Sequence, residues 1–453
     1  MIVVCIPYRA PENIAKESKG SIYHEYRLDF CEDWQSIDFT AFPKKSILTF
    51  RGSNFTLAML QDMLSSRAMI DLDIRQLEEF PDLVEPERLV LSTHLEEYDE
   101  DKIRAFLDHP QRAKVYKLIL KAKSFAEILA TSHLIHDHKP QKMIFNVIGK
   151  WALFQRGLYD FFSSEGVYAA LDEPSSEGQP DLKRLRPIWK AYTIDDYRCI
   201  AIVGDEQVNN SGSILLGNEY LMNHKLNYVY LPVPAEDLAE ALDVIKYLYK
   251  NLDLAGIAIT SPYKKAMAEY LRSNQPIINT AQFLHHKHLH NSYHPELDMY
   301  VYATNTDLAA LKLNMQILEI QQTDKILIYG SGNCAEVFIQ HLLRHSYRDI
   351  SLLARNQDKA NDLIQQYQIK AASDQEYDLL INATPLGKKE DDDISRLPKF
   401  KKVIDLVLKL DTPALLIQKA EAENLPHAQG FEFWVRQFYP QFQCIRYEDE
   451  ENY

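Results

Sequence analysis

Eight short β-rich runs recur roughly every twenty residues between residue 1 and about residue 172. Polar, helix-compatible stretches separate them, and this alternation is typical of repeated βα units. The runs are IVVCI, IYHEYRLDF, KSILTF, AMIDLDI, RLVLST, AKVYKLIL, QKMIFNVI and EGVYAAL. Eight strands that alternate with helices predict a closed (β/α)₈ barrel over residues 1–190, in fewer residues than such barrels usually need.

A second series of strands and helices follows a polar stretch rich in Pro and Gly, DEPSSEGQPDLKRLRPIW, which predicts a domain boundary. RCIAIVG, NYVYLPV and LAGIAIT predict a small α/β domain for substrate over residues 195–320. KILIYGSGNCAEV, ISLLAR, YDLLINAT and KKVIDLVL predict a Rossmann domain over 321–410, which a helical segment over 411–453 completes. The fold class is α/β throughout.

Charge and composition exclude several classes of function. The formal net charge of -15 opposes binding to nucleic acid or to anionic membranes, although a local basic pocket still admits a small anionic substrate. The 5 cysteines are scattered and lack metal-type spacing, so we expect no zinc site and a reducing compartment. The chain shows no signal peptide or membrane-spanning run, which predicts a cytoplasmic location, and no obligate protein partner is evident.

A lysine inside the sixth run is the candidate nucleophile of the barrel. Lys117 would be costly as a buried cation, and desolvation would lower its pKa and leave an amine suited to imine formation with a ketone. Alternatively it is one more surface lysine beside Lys114, Lys121 and Lys123. Both faces of the run VYKLIL are apolar, so periodicity leaves the direction of Lys117 open.

Further polar residues lie at the carboxyl ends of the barrel strands, where (β/α)₈ enzymes carry their chemistry. His94 ends the fifth run, and its near-neutral pKa suits proton abstraction and return, although a lone histidine at a strand end is more often structural. The other candidates at this end are Glu25, Arg27, Arg51, Arg156, Ser175 and Gln179.

The loop GSGNCA follows the strand KILIY and precedes a helix, which is the context of a phosphate-binding turn. Gly330, Gly332, Asn333 and Ala335 form this weak motif, and a purely structural turn is the alternative. The next strand presents Arg355 where a carboxylate would bind a ribose 2′-hydroxyl, which favours NADP over NAD unless the arginine is merely a solvated surface residue.

A lysine and a carboxylate in the preceding domain are candidates for a proton relay. ITSPYKK places Thr260 and Lys264 after one strand, and ATNTD places Asp307 at the end of another. Brought together, Lys264 and Asp307 would form a proton-relay pair at a substrate carbonyl. Each residue alone is an ordinary surface charge.

The first half resembles the type I 3-dehydroquinate dehydratases in the order and spacing of EYRLDF, ILTFRG, MIDLDI, LVLSTH, VYKLIL, the 149–156 segment and SSEGQ. The resemblance implies that Lys117 forms the imine and that His94 is the general acid/base. It also implies that Arg156 holds the substrate carboxylate. Glu25, Arg27 and Arg51 would contact ring hydroxyls or support the imine, and Ser175 and Gln179 would lie on a closing loop. One departure is Phe55, which stands near the position of the family's glutamate.

The second half resembles the shikimate dehydrogenases in NSGSILLGN, ITSPYKK, PIINT, ATNTD, GSGNCA, LLARN, INATPLG and GFEFWVRQ. The resemblance implies that Lys264 and Asp307 are the catalytic pair and that NADP(H) is the cofactor. The implied substrate contacts are Ser211, Ser213, Thr260, Asn279, Asp307 and Gln437, and Asn382, Ala383 and Thr384 would line the cofactor site. Leu408 departs from the family's usual tyrosine, and the serine motif has one extra residue.

The two resemblances imply consecutive steps of the shikimate pathway on one chain, with 3-dehydroquinate and 3-dehydroshikimate as small-molecule substrates. Because the family's glutamate is missing near Phe55, a dehydrogenase with a weakened or non-catalytic barrel is the first alternative. A non-catalytic, nucleotide-dependent interaction protein is the second. A quinate-preferring dehydrogenase is a closer variant, which the paired serines Ser211 and Ser213 disfavour.

Overall fold

The computed structural model describes residues 1–14, 22–138, 142–191, 197–284 and 292–446. Its chain divides into two compact units, of which the first holds 1–197, 206–209 and 218–247 and the second holds 198–205, 210–217 and 248–453. The predicted start of the second domain at residue 195 lies outside the described residues. The predicted domain limits therefore stay predictions, whereas the α/β class is confirmed.

Eight parallel strands form the first unit's sheet, in the order β7-β6-β5-β4-β3-β2-β1-β8. They are β1 (Ile2–Pro7), β2 (Ile22–Arg27), β3 (Ser46–Thr49), β4 (Met69–Asp73), β5 (Leu89–Leu95), β6 (Val115–Lys121), β7 (Met143–Ile148) and β8 (Val167–Ala170). Each strand overlaps one of the eight predicted runs, and β1, β5 and β6 extend one or two residues beyond theirs. Sequential order with parallel neighbours is the topology of a (β/α)₈ barrel.

Hydrogen bonds from loops and side chains span the remaining gap between β7 and β8. Met143 O accepts from the Glu165 amide at 2.7 Å, and Asn146 Oδ1 accepts from the Tyr168 amide at 2.8 Å. Apolar side chains from the strands fill the interior at the amino-terminal end: Val3, Ile47, Met69, Val90, Val115 and Ile144. The barrel is thus nearly closed and packed at one end, which leaves the carboxyl ends of the strands for a cavity.

Helices follow six of the barrel strands. They are α1 (Leu57–Ser65), α2 (Ile74–Glu79), α3 (Glu100–Leu107), α4 (Phe125–His138), α5 (Ala152–Gly157) and α6 (Leu182–Ala191). Among the described residues, only 3-10 turns such as Pro11–Asn13 and Leu28–Phe30 follow β1 and β2. Among the described residues, a regular helix therefore follows six of the eight barrel strands.

The second unit begins with a mixed sheet. Its first strand is β9 (Arg198–Gly204). The elements that follow β9 along the chain, α7 (Asn218–Asn223), β10 (Tyr228–Pro234) and most of α8 (Leu238–Asn251), are assigned to the first unit. The further strands of the second unit's mixed sheet are β11 (Leu254–Ile259), β12 (Thr280–Leu284), β13 (Ser292–His294) and β14 (Met299–Thr304). β11 runs parallel to β9, whereas β12, β14 and β13 pair antiparallel. The helices α9 (Lys264–Tyr270) and α10 (Asp307–Ile317) follow β11 and β14.

A six-stranded parallel sheet of order β17-β16-β15-β18-β19-β20 forms the rest of this unit. The strands are β15 (Ile326–Tyr329), β16 (Ile350–Leu353), β17 (Lys370–Ala371), β18 (Leu379–Asn382), β19 (Val403–Asp405) and β20 (His427–Ala428). Their helices are α11 (Asn333–Arg344), α12 (Gln357–Tyr367), α13 (Leu415–Ala422) and α14 (Gly430–Arg446). The strand order reverses between β15 and β18, and dinucleotides bind in Rossmann folds at such a crevice.

None of the helices in the described ranges has the length and apolar character that a bilayer crossing requires.

The core of the Rossmann sheet is apolar on both faces, with Ile326, Ile328, Phe338 and Ile350 on one side and Leu327, Tyr377 and Leu380 on the other. Near-continuous apolar strands are what a parallel sheet covered by helices requires.

Candidate active sites

Lys117 lies inside the barrel, and the side chain is almost fully buried. Its Nζ donates to Glu25 Oε1 at 2.8 Å and to Asp71 Oδ2 at 2.9 Å, and it lies 4.0 Å from the centre of the Tyr168 ring. The direction that periodicity left open is therefore inward. Two buried carboxylates and an aromatic face offset the cost of placing the cation there.

Asp71, which is not among the predicted residues, joins Arg51 and Ser92 to this lysine. Arg51 Nη2 donates to Asp71 Oδ1 at 2.8 Å, and Ser92 Oγ donates to the same oxygen at 2.6 Å. Although burial opposes it, the charges of Arg51 and Lys117 hold the pKa of Asp71 well below its usual range. A signal for Asp71 existed in the alternation of MIDLDI, which places it on the face of β4 opposite to Ile70 and Leu72.

Glu25 is the second carboxylate of the cluster. Its Oε1 accepts from Thr49 Oγ1 at 3.0 Å, and its Oε2 accepts from the Cys5 thiol at 3.1 Å. Gln179 Nε2 lies 3.1 Å from Cys5 Sγ, and Gln179 Oε1 accepts from the amide and hydroxyl of Ser175. The predicted residues of the loop after β8 are therefore joined to the lysine cluster through Cys5.

His94 stands at the carboxyl end of β5, with about a third of its side chain exposed. Its Nδ1 lies 3.6 Å from Asp73 Oδ2, and partial burial beside the Arg51 charge lowers the pKa of His94 to about 4. The imidazole is therefore neutral near pH 7. If Nδ1 carries the proton toward Asp73, Nε2 keeps a lone pair that can accept a proton.

Phe55, at the position of the expected glutamate, belongs to an apolar cluster. Its ring stacks on Phe50 at 5.8 Å and meets the edge of Phe80 at 5.9 Å. The carboxylate beside His94 comes instead from Asp73, which also caps α2 by accepting from the Arg75 amide through Oδ1. The cap occupies one oxygen of Asp73, and the other oxygen is the one beside His94.

The two remaining arginines of the predicted set are held by the protein itself. Arg156 is buried, and its guanidinium donates to the carbonyl oxygens of Val147 and Tyr168, while burial lowers its pKa to about 10. Arg27 makes a bidentate pair with Asp29 at 2.9 and 2.8 Å. Each of these arginines nevertheless lines the same cavity as Lys117.

One cavity of about 640 Å³ at this end of the barrel brings together all the residues predicted for the dehydratase site. Lining residues from the predicted set are Glu25, Arg27, Arg51, His94, Lys117, Arg156, Ser175 and Gln179. Asp73, Tyr168 and Cys5 line it as well. The arrangement can bind an anionic, hydroxylated ketone, because it joins arginines, a lysine amine and a neutral imidazole in one space.

The second unit holds the predicted lysine–carboxylate pair. Lys264 Nζ donates to Asp307 Oδ2 at 2.6 Å, and both side chains are about nine-tenths buried. Although burial alone would lower it, the Asp307 charge holds the pKa of Lys264 above its usual range. The lysine is therefore a cation that can hand a proton to a nearby oxygen while Asp307 holds it in place.

Asn279 positions the other oxygen of this aspartate. Its Nδ2 donates to Asp307 Oδ1 at 2.9 Å, and its Oδ1 accepts from the Thr306 amide at 2.8 Å. Gln437 Nε2 in turn donates to Thr306 Oγ1 at 2.9 Å. The predicted substrate contacts Asn279 and Gln437 thus belong to one hydrogen-bonded network with the pair.

The remaining predicted substrate residues lie in the same unit, where Ser211 and Thr260 are in loops and Ser213 begins a short π-helical turn. Ser211 Oγ accepts from the Ser213 amide at 3.3 Å, and a side chain on the intervening Gly212 would collide with Leu408 Cδ2 at 2.5 Å. Thr260 follows β11 and donates through Oγ1 to Ser261 O at 3.2 Å. Leu408 therefore packs directly against the serine loop.

The loop between β15 and α11 has the geometry of a phosphate-binding turn. Gly330 has φ +125°, and a Cβ there would meet Thr384 Cγ2 at 2.8 Å, so the loop lies close to the segment after β18. Gly332 is the N-cap residue of α11, and a Cβ at this position would meet nothing within 4 Å. Free amides and open space at a helix N-terminus suit a phosphate group. Ala335 is buried beneath the turn.

The segment after β18 is stabilised by Asn382. Its Oδ1 accepts from Thr384 Oγ1 at 2.7 Å, and its Nδ2 donates to Asp405 Oδ1 at 2.9 Å and to Leu386 O at 3.0 Å. Burial raises the pKa of Asp405 to about 7. Asn382 is fully buried and holds the turn, whereas Ala383 and Thr384 lie beside Gly330.

Arg355 is exposed at the end of β16 and lines a separate cavity of about 440 Å³ together with Tyr329, Ala354, Leu386 and Arg396. The cavity lies beside the crevice that the reversal of strand order creates. Arg396 pairs with Asp393 of the same lining at 3.1 Å, so Arg355 is the guanidinium that suits a phosphate monoester. Within the described part of the chain, no group of three or more His, Cys, Asp or Glu side chains is arranged to hold a metal ion.

Residues 312–384 match the family model described as Shikimate / quinate 5-dehydrogenase. A shikimate dehydrogenase (NADP(+)) of Prochlorococcus marinus strain MIT 9312 is 26% identical over 203 residues, which are 42% of this chain and 68% of the relative. The enzyme of that name from Maridesulfovibrio salexigens is 27% identical over 257 residues, 54% of this chain and 90% of the relative. The chain is therefore similar to shikimate dehydrogenases, and the segment matched by the family model lies outside the barrel.

Two solved structures align with most or about half of this chain. The dehydroquinate dehydratase and shikimate dehydrogenase from S. pombe AroM is 15% identical and covers 98% of this chain and 94% of its own, with a TM-score of 0.40. A shikimate 5-dehydrogenase from Thermus thermophilus, in complex with NADP(H) and shikimate, is 19% identical and covers 55% and 93%, with a TM-score of 0.43.

Proposed function

We propose that this relative of the shikimate dehydrogenases carries two consecutive activities, an imine-forming 3-dehydroquinate dehydratase in the barrel and an NADP-dependent shikimate dehydrogenase in the second unit. The observation that carries the first is Lys117, held between Glu25 and Asp71 at the floor of a cavity that also holds His94. The observation that carries the second is the buried Lys264–Asp307 pair in a unit whose Rossmann segment matches the family model.

In the barrel, the Lys117 amine attacks the ketone of 3-dehydroquinate after giving a proton to a neighbouring carboxylate, and water leaves as the imine forms. His94 Nε2 then takes the C2 proton, because the imine makes that position acidic. The same imidazolium returns a proton to the departing C1 hydroxyl, which leaves as water. Hydrolysis of the imine frees Lys117 and releases 3-dehydroshikimate. Arg156 and Arg27 bind the carboxylate and hydroxyls of the substrate.

Asp73 supplies the carboxylate that Phe55 lacks. In unliganded sites catalytic contacts are often long, so the 3.6 Å separation from His94 is compatible with a hydrogen bond in the substrate complex. Asp73 Oδ2 would then fix the tautomer in which Nε2 faces the cavity. On this account the barrel keeps an oriented base, which argues against a barrel that only binds ligand.

Asp73→Asn tests this assignment. We expect the dehydratase kcat to fall roughly 10-fold, a part of the 10²- to 10⁴-fold that a general base contributes. Because Asp73 raises the pKa of His94, the acid limb of the kcat profile should move to lower pH in the variant. Asparagine caps helices as well as aspartate, so α2 and the thermal unfolding temperature should be preserved. A profile unchanged in rate and in its acid limb would rule out the role.

In the second unit, the paired serines Ser211 and Ser213 bind the carboxylate of 3-dehydroshikimate, and Thr260, Asn279 and Gln437 bind ring hydroxyls. The Lys264 ammonium donates its proton to the C3 carbonyl oxygen as that oxygen gains charge, and Asp307 stabilises the cation before transfer. The product is shikimate. The spatial grouping of the Lys264–Asp307 pair with Asn279 and Gln437 supports this assignment.

NADP(H) fits the residues of the Rossmann segment. The turn from Gly330 through Gly332, Asn333 and Ala335 offers free amides for the pyrophosphate, and Arg355 offers a guanidinium for the 2′-phosphate. The cofactor supplies the hydride for the C3 carbon. Ala383 and Thr384 line the crevice, and Asn382 holds their turn.

A coupled assay that starts from 3-dehydroquinate and follows the loss of NADPH absorbance tests both proposals, because a signal requires both sites. We expect the purified chain alone to give a signal. If 3-dehydroshikimate supports NADPH oxidation but 3-dehydroquinate does not, the barrel activity is contradicted and the dehydrogenase stands. If neither substrate does, a nucleotide-dependent binding protein becomes the better account. Quinate oxidation faster than shikimate oxidation would point to the quinate-preferring variant.

A further inference from the structure

Cys334 brings a thiol from the phosphate-binding turn to the lysine–aspartate pair. It is the second residue of α11, and its Sγ accepts from Lys264 Nζ at 3.4 Å. The same Sγ lies 3.7 Å from Asp307 Oδ2, within reach of an S–H donor. Cys334, Lys264 and Asp307 therefore form a closed triangle of polar contacts, and the third member lies on the cofactor side of the site.

The protonation state of the thiol suits this position. Burial raises the pKa of Cys334, so the group is a neutral thiol near pH 7. A neutral thiol has one hydrogen to give to Asp307 and lone pairs that accept from the Lys264 ammonium. The Cys334 side chain also packs against the apolar core of the Rossmann sheet, which fixes the direction of its Sγ.

We propose that Cys334 is a positioning residue of the dehydrogenase, which holds the Lys264 ammonium in its donating position and ties it to the dinucleotide-binding turn. This proposal rests on the proposed dehydrogenase function. It explains why a polarisable side chain stands on the turn where Sγ meets both members of the proton-relay pair. A cysteine that merely filled space would pack equally well without its two polar contacts.

Cys334 changes the pKa of Lys264 in a definite direction. The hydrogen bond to Cys334 raises the pKa of Lys264, in addition to the larger effect of Asp307. Lys264 must be protonated to reduce the substrate, so activity is lost as the pH rises through its pKa. Removal of the thiol lowers that pKa, and the basic limb of the reductive kcat profile moves to lower pH.

Cys334→Ala and Cys334→Ser test the proposal in steady-state reduction of 3-dehydroshikimate by NADPH. We expect Cys334→Ala to lower kcat roughly 5-fold to 10-fold, since hydrogen bonds to charged groups are stronger than neutral ones. The KM for NADPH should stay within about 2-fold and the basic limb should move to lower pH. Cys334→Ser keeps a donor and an acceptor and should restore both the rate and the limb. Cys444→Ala, on α14 in the same unit, is the cysteine control and should match the wild type.

The outcomes separate this proposal from the function on which it rests. If the wild-type chain does not oxidise NADPH with 3-dehydroshikimate, the proposed function fails first. If the wild type is active and Cys334→Ala keeps both kcat and the basic limb, the positioning role alone is overturned. Should Cys334→Ala melt at a lower temperature than the wild type, Cys334→Val replaces it, because valine fills the volume without a donor. Full activity of a stable Cys334→Val would also overturn the role.

Discussion

Lys117→Ala is expected to abolish the adduct that borohydride traps when the protein is incubated with 3-dehydroquinate. No other described lysine lies between two buried carboxylates in the barrel cavity, and imine reduction requires an amine at that point. Mass spectrometry of the intact chain and of its peptides measures the adduct. Dehydratase turnover should fall to background, roughly 10³-fold or more, because the covalent route is lost.

The design must separate chemistry from stability, since removal of Lys117 leaves Glu25 and Asp71 buried without their cation. Breaking such a pair costs about 3–5 kcal/mol. Lys117→Arg keeps a buried cation but has no amine for the imine, so it should lose the adduct with a smaller loss of stability. Lys114→Ala removes an exposed lysine directly before the first residue of β6, and this variant should keep the adduct. An adduct that persists in a folded Lys117→Arg protein, or maps to Lys114, would contradict the assignment.

The strand content of the barrel could be predicted from the sequence because each strand is a short β-rich run that turn residues delimit. The direction of the Lys117 side chain could not be predicted, because β6 is apolar on both faces. It is fixed by the pairing of Lys117 with Ser92 on β5 and by the contacts with Glu25 and Asp71. Asp71 and Asp73 lie in a run that was recognised as a strand. Their partners, Lys117 and His94, are distant in sequence, so no local pattern joined them.

The second unit shows the same division between local and distant information. The phosphate-binding turn and its helix follow from the spacing of glycines within one βα unit, and the strand order of the Rossmann sheet follows from the family of folds. The strand that ends at ATNTD was predicted and is β14, but β12, β13 and the antiparallel pairing were not, since that pairing depends on contacts between segments that are short and irregular in pattern. Cys334 was noticed only as a scattered cysteine, because its contacts with Lys264 and Asp307 join residues far apart in the chain.

Lys264→Ala is expected to lower kcat for the reduction of 3-dehydroshikimate by roughly 10²- to 10⁴-fold, the usual contribution of a positioned general acid. Affinity for NADP⁺, measured by calorimetry, should change little, because the turn from Gly330 to Ala335 is untouched.

Lys265→Ala is the matched control, since Lys265 is the next residue, half exposed and paired with Glu336 instead of Asp307. It should keep kcat within about 2-fold, because its ammonium contacts Glu336 and not the proton-relay pair. A Lys264→Ala protein that binds NADP⁺ and still reduces 3-dehydroshikimate at the wild-type rate would exclude Lys264 as the acid.

Asp307→Asn probes the same pair from the other side and is distinguished by its pH dependence. The carboxylate holds the pKa of Lys264 above its usual range, so an amide at this position lowers that pKa. Because the reductive step needs the protonated lysine, the basic limb of the kcat profile must then move to lower pH, whereas loss of a purely structural residue would reduce the rate at every pH alike. Asn279, which donates to Asp307 Oδ1, cannot donate in the same way to an amide nitrogen introduced by the substitution, so part of the rate loss should persist even at low pH. A basic limb that stays in place would show that Asp307 does not set the protonation of Lys264 and would assign the proton to another donor.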